Sequence, residues 1–216
     1  MTGYSEWLQG GNSVFGFDPD MIFRIPALLV ALTLHEYAHA RAAVWLGDNT
    51  PRYHGRLTLN PVAHLDPWGL IMLWLFKFGW AKPVPINPSN FDNYRKGTIL
   101  VSFAGPAANL LIAVTSLLLL FLLERTSLQS VMTGKLLVNM YYLNLGFAFF
   151  NLLPIPPLDG SKIVSSLLPA RLSYKFDKLE PYGMIIMVAL LYLGIIGLVL
   201  GPIMSVFTSI LYLFLS

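Results

Sequence analysis

Residues 21–46 read MIFRIPALLVALTLHEYAHARAAVWL, and this stretch decides what kind of fold the chain adopts. As a helix it runs about 39 Å at 1.5 Å per residue, more than the roughly 30 Å of a bilayer's hydrocarbon. A start signal precedes it, with Asp18 as cap and Pro19 in the first turn, and Gly47 follows as a stop. Inside the run stands HEYAH, His35 to His39. Positions i and i+4 of a helix lie one turn apart and about 40° apart around the axis, so both imidazoles reach one ion. Glu36 lies beside them, where it can hold a water as general base. An intramembrane carboxylate costs several kcal/mol unless paired or metal-associated, so this cluster needs a reason. The plain alternative is a satisfied polar cluster inside a bundle.

The composition points the same way. Of 216 residues, 56% are hydrophobic and 12% charged, against about 25% charged in ordinary soluble domains. Lipid must be the solvent for much of that apolar surface. Cysteine is absent, which excludes disulfides, thiolate metal sites and thiol catalysis. The net charge of +3 does not indicate nucleic acid, because the 14 basic residues are scattered through connections between apolar runs. Residues 1–20 are polar and turn-rich, with acidic Glu6, Asp18 and Asp20, and show no cleavable signal peptide.

Residues 48–96 form a long connection with prolines at 51, 61, 67, 83, 85 and 88. Within it Trp68–Trp80 is apolar but too short to span, so a re-entrant or interfacial segment is expected. Arg56–Leu59 and Lys82–Ile86 read as short extended strands. Further spans are expected over 99–123 and from about 136 to 153. A short amphipathic helix and basic loop follow over 158–180, then two spans over 183–215 with a turn at Gly201-Pro202, the alternative there being one bent helix. The expected fold is an all-α polytopic membrane protein, a single domain over 1–216, with about five spans, a re-entrant element and a small β piece.

Basic residues orient it. Arg52, Arg56, Lys77, Lys82, Arg95 and Lys96 lie in the 48–96 connection, and Lys162, Arg171, Lys175 and Lys178 in the 154–180 connection. Both connections are then cytoplasmic and the N-terminus outside.

Two histidines and a water leave zinc one protein ligand short. Asp159, in the run NLLPIPPLDG (Asn151–Gly160), is the best-placed candidate. Alone, an Asp before Gly reads as a turn residue. Topology shifts that weighting, because the first and third spans deliver HEYAH and this run to the same half of the bilayer.

HEYAH in an early span, FAGPAANL (Phe103–Leu110) in the next and NLLPIPPLDG closing the third resemble the site-2 protease family of intramembrane zinc metalloproteases. GRLTLNPVAHLDPWG (Gly55–Gly69) and GWAKPVPINPSNF (Gly79–Phe91) resemble its compact prokaryotic branch. The resemblance implies one zinc ion per chain on His35, His39 and Asp159, with Glu36 as catalytic acid/base. It also implies that Asn151 and Asn109 line the site, where an amide could donate to a developing oxyanion. For Asn109 the alternative is an interhelical hydrogen bond among small residues; Asn144 reads as packing. The short 124–135 connection has no room for the PDZ module of larger relatives, and no regulatory domain is expected after Ser216.

Expected partners are a transmembrane protein substrate and the lipid bilayer, with no nucleic acid. The expected location is a prokaryotic cytoplasmic membrane, crossed several times, with the site toward the cytoplasm. A helical substrate must be locally extended before hydrolysis; segments 56–59 and 82–86 could pair with it, or simply form a hairpin over the loop. His54 and His64 read as polar loop residues, Asp66 as a turn initiator, and Trp68, Trp74 and Trp80 as interface anchors. The competing readings are a transporter or channel with a polar ion path, and an idle scaffold holding metal for folding.

Overall fold

The structure is a computed structural model describing residues 21–76, 79–126 and 130–215. The start signal Asp18-Pro19, the acidic residues Glu6 and Asp20, Lys77, and the side chain of Trp74 lie outside what is described. The helices are α1 (Met21–Trp45), a single turn α2 (Thr50–Tyr53), α3 (Pro67–Phe76), α4 (Tyr94–Glu124) and α5 (Val131–Asn151). They continue with α6 (Asp159–Leu167), α7 (Ala170–Asp177), α8 (Gly183–Tyr192) and α9 (Ile195–Leu215).

Three of these, α1, α4 and α9, are long and apolar enough to cross a membrane. Their outer surfaces carry exposed Ile22, Leu111, Leu119, Leu198, Val206 and Phe214, an apolar exterior suited to lipid. The chain is an all-α membrane protein.

α1 and α4 form the centre. The buried residues of α1 include Ala27, Ala31, His35, His39 and Ala43, at a strict four-residue spacing. Those of α4 include Gly97, Val101, Gly105, Asn109, Ala113 and Leu117, at the same spacing. Each set makes one ridge, and small residues on both let the backbones approach. His39 meets Val101 and His35 meets Asn109, so the helices run antiparallel. α5 packs on both, burying Asn139, Asn144 and Ala148. α4 starts at Tyr94, earlier than the hydropathy suggests, because the Asn93 side chain caps it by accepting from Lys96 N–H at 2.9 Å.

Two expectations fail. The break in 183–215 falls at Leu193-Gly194, where Gly194 has φ +70°, while Pro202 sits inside α9. α8, with 10 residues, is about 15 Å long and cannot cross alone. The expected strands also do not form: among the described residues there is no strand, only an isolated antiparallel bridge between Leu65 and Ala81. Pro83 and Pro85 have no N–H to give a ladder, and the Arg56 side chain takes the carbonyls of Lys82 and Pro83. Asp66 does initiate a turn, accepting from Gly69 N–H at 2.9 Å at the start of α3.

The connection is pinned to the end of α1 by Asp48, which is fully buried. Its carboxylate accepts from Thr50 N–H and Oγ1–H (3.1 and 2.5 Å), Asn87 N–H (2.7 Å) and Asn90 Nδ2 (2.7 Å). Burial raises its pKa, but these four donors outweigh burial and hold it below the ordinary 3.8. Asp48→Ala is expected to lower stability by about 2–3 kcal/mol, read as a drop in melting temperature. Because the folded pKa is the lower one, the Asp48 contribution is complete above about pH 4 and lost as acid passes below 3.8. The melting temperature of Asp48→Asn should therefore fall less steeply than that of the parent protein over that acid range.

Candidate metal centre

The HEYAH turn of α1 presents His35 and His39 to α4 and α6. His35 Nε2 and His39 Nε2 stand 2.9 Å apart, and each lies 3.1 Å from Asp159 Oδ2. All three residues are buried, at 5%, 5% and 7% exposure. Asp159 opens α6, and Gly160 lets that helix start against the end of α5: a Cβ there would lie 2.5 Å from Leu153 O. Gly105 performs the same service on α4, since a Cβ would lie within 2.6 Å of His35 Cε1 and strike His39 as well. Lys162 Nζ lies 4.0 Å from the outer oxygen, Asp159 Oδ1.

The hydrogen bonds on the far side of each ring decide what the near side offers. Asn109 donates Nδ2–H to Ala31 O (3.0 Å) and to Asn144 Oδ1 (2.8 Å), and Asn144 in turn donates to Met140 O (2.8 Å). Asn109 Oδ1 is therefore the acceptor facing His35, whose Nδ1–H donates to it at 2.6 Å. His39 Nδ1–H donates to the carbonyl of Val101 at 2.7 Å. In their neutral form both imidazoles then turn Nε2 lone pairs to the same point as a carboxylate oxygen. Three electron-pair donors at this separation repel one another unless a cation lies among them. Zinc on N and O ligands at about 2.0–2.1 Å needs donor separations of roughly 3.3 Å, a few tenths of an ångström from those present. The residues fit a zinc ion, which on three protein ligands would keep its fourth position for water.

Glu36, buried beside the pair, accepts from Val84 N–H at 3.0 Å through Oε2. Its Oε1 takes no hydrogen bond from the described residues.

The expected roles of the asparagines divide. Asn109 is at the site, but both its amide hydrogens are used by Ala31 and Asn144, so it has none for an oxyanion; it orients His35 instead. The interhelical alternative and the site reading are the same hydrogen bonds. Asn151, half-buried, donates to Phe147 O in its own helix (3.0 Å), and no hydrogen bond among the described residues links it to the cluster. Asn144 packs, as expected, and completes the chain of amides. His54 is exposed and donates to Thr50 O (2.9 Å), while His64 is fully buried and donates Nε2–H to Thr58 O (2.8 Å); neither joins the cluster. Sequence reasoning missed Gly105, Val84 and Arg56. Only Gly105 carried a local signal, sitting four residues before Asn109.

Asn109→Ala removes the acceptor that sets the His35 tautomer and should weaken zinc binding about 10–100-fold, measured by chelator competition. Gly105→Ala should abolish tight zinc binding outright in the same assay, because its methyl group occupies imidazole space.

The sequence profile of Peptidase family M50 matches residues 125–194, the stretch that contains Asp159. The chain is 38% identical over 190 residues to YwhC of Bacillus subtilis (strain 168), a protein named as a candidate zinc metalloprotease; the match covers 86% of this chain and 87% of YwhC. It is 31% identical over 175 residues to Rip2 of Mycolicibacterium smegmatis, similarly named, covering 79% of this chain and 66% of Rip2. A Rip2 from Mycobacterium tuberculosis (strain ATCC 25618 / H37Rv) is 33% identical over 165 residues, covering 73% and 62%. No solved structure matches. Because the YwhC match, at 38% identity, covers well over two thirds of both chains, this protein belongs to peptidase family M50, the site-2 proteases.

Proposed function

We propose that this chain is an intramembrane zinc endopeptidase that hydrolyses peptide bonds within or near transmembrane segments of other membrane proteins. The observation that carries the reading is the convergence of His35 Nε2, His39 Nε2 and Asp159 Oδ2, buried between apolar helices, with Glu36 one residue along. An ion-path reading finds no matching support, since these groups close on one point with their tautomers set.

His35, His39 and Asp159 would hold the metal. When bound there, zinc supplies a Lewis acid for the scissile carbonyl and lowers the pKa of the attacking water. Glu36 would take a proton from the attacking water on Oε1 and pass it to the leaving amine, while Val84 N–H keeps the carboxylate in place through Oε2. Asn109 holds His35 and does not touch substrate. Asn151 has one amide hydrogen beyond its bond to Phe147 and would offer it to the substrate carbonyl.

The whole chain acts as one membrane-embedded domain. α5 joins α1, α4 and α9 in crossing the bilayer, α8 enters it as the fifth apolar helix, and α3 dips in from one side. The charge balance favours cytoplasmic placement of the 48–96 and 154–180 connections, and with them the site, in a prokaryotic cytoplasmic membrane. A substrate helix must unwind there, since its peptide bonds are otherwise shielded by their own hydrogen bonds.

Purified protein should carry about one zinc per chain and cleave a single-span test substrate. Glu36→Gln should retain the zinc and lose cleavage by at least about a hundredfold. His35→Ala or Asp159→Ala should lose both. Cleavage that survives Glu36→Gln would overturn the proposal.

A further inference from the structure

Arg56 lies in the 48–96 connection, only 5% exposed, and makes no ion pair within 4.0 Å among the described residues. Its Nη1 donates to Pro83 O at 3.1 Å, its Nη2 donates to Lys82 O, and Nη2 also faces His64 Nδ1 at 3.5 Å. His64 uses its Nε2–H on Thr58 O, so it turns a lone pair toward the guanidinium. Lys82 N–H donates to His64 O at 2.9 Å. Lys82 and Pro83 are thus held through their own two carbonyls, which accept from Arg56, and through the Lys82 amide, which donates to His64 O. Val84 follows, between two prolines that have no N–H, and its single amide hydrogen goes to Glu36 Oε2.

A buried guanidinium is a poor way merely to tie two loops together, because its desolvation opposes folding. Burial lowers the Arg56 pKa and the charge of Glu36 acts to raise it, so the two groups feel each other without a direct pair. A direct Arg–Glu contact would compete for the carboxylate that must accept a proton. The peptide group that closes the Lys82-Pro83 strap, with Pro83 O toward Arg56 and Val84 N–H toward Glu36, avoids this. A lysine could not replace the fork, since one ammonium does not fit two successive carbonyls in a plane.

We infer that Arg56 is a positioning residue for Glu36: it fixes the Lys82-Pro83 strap so that Val84 N–H holds the carboxylate in line with the His35, His39 and Asp159 donors. This rests on Glu36 being the proton carrier of the proposed peptidase.

The test uses the full-length, zinc-loaded protein and two readouts. In hydrogen exchange, Val84 supplies the one exchangeable amide of the Pro83-Val84-Pro85 triplet, so its protection is read directly. Arg56→Gln should speed exchange there by about tenfold or more, the factor of one hydrogen bond to a charged group. On the single-span substrate it should lower kcat about 10–100-fold with KM held within about twofold and zinc retained. Arg56→Lys should not restore kcat. Val84→Pro, which deletes the amide hydrogen and also replaces the buried valine side chain, should reproduce the loss, and the double variant should be no worse than the poorer single one. Unchanged Val84 exchange in Arg56→Gln overturns the inference, as does unchanged kcat, a rise in KM alone, full rescue by lysine, or losses that add in the double variant. Should Arg56→Gln not fold, Arg56→Lys and Val84→Pro decide the matter by the same criteria. A parent protein that cleaves nothing would count against the peptidase reading, and the exchange measurement would still judge Arg56.

Discussion

In hydrocarbon, a polar side chain must find its partner inside the protein, and the packing of α1 on α4 is organised around that demand. The ridge Ala27, Ala31, His35, His39, Ala43 lies against the ridge Gly97, Val101, Gly105, Asn109, Ala113. Small residues above and below bring the backbones close, and the large polar residues occupy the middle of the contact. There His39 reaches a backbone carbonyl and His35 an amide oxygen. Without Gly105 the imidazoles would have no room to turn. The tight seam and the metal centre are one feature.

Asn109 shows how far this unity extends. Its two amide hydrogens bind α1 at Ala31 and α5 at Asn144, and its oxygen sets the tautomer of His35. The hydrogen bonds that lock three helices together therefore also aim one metal donor. Each member of the chain from Met140 O to His35 has a defined direction, because each amide is fixed by the next. A neutral amide relay does this without adding a further charge to a lipid-surrounded core.

Much of this was legible in the sequence because it was local. The HEYAH pair needs only helical spacing and α1 ends by Gly47 as expected, while Asp159, far along the chain, needed the further step of placing the ends of α1 and α5 on one side. The turn in 183–215 was misplaced because Gly201-Pro202 looks like a breaker, yet a membrane helix tolerates proline where its surroundings re-satisfy the backbone. Gly194, an unremarked glycine in an apolar run, makes the turn instead. The strands over 56–59 and 82–86 failed for a different reason. Their spacing suits extended chain, but a side chain, Arg56, meets the carbonyls that a neighbouring strand would need. Val84 and Glu36 are 48 residues apart, and no periodicity reports a contact at that separation.

The two flanks of the HEYAH turn also differ in kind. The histidine side is rigid: each ring is held by an acceptor on α4 and meets Asp159 from the start of α6. The glutamate side is held from a loop, through one backbone amide and one oxygen, and its second oxygen takes no hydrogen bond from the described residues. That division suits the roles proposed for the two sides. A metal ligand serves best when its geometry does not change, whereas a proton carrier must gain and lose a charge during one turnover. Holding Glu36 by an N–H that bonds one oxygen keeps its position while leaving the other oxygen to change state. A charged partner in direct contact would have fixed the position as well, but at the expense of the basicity the reaction needs.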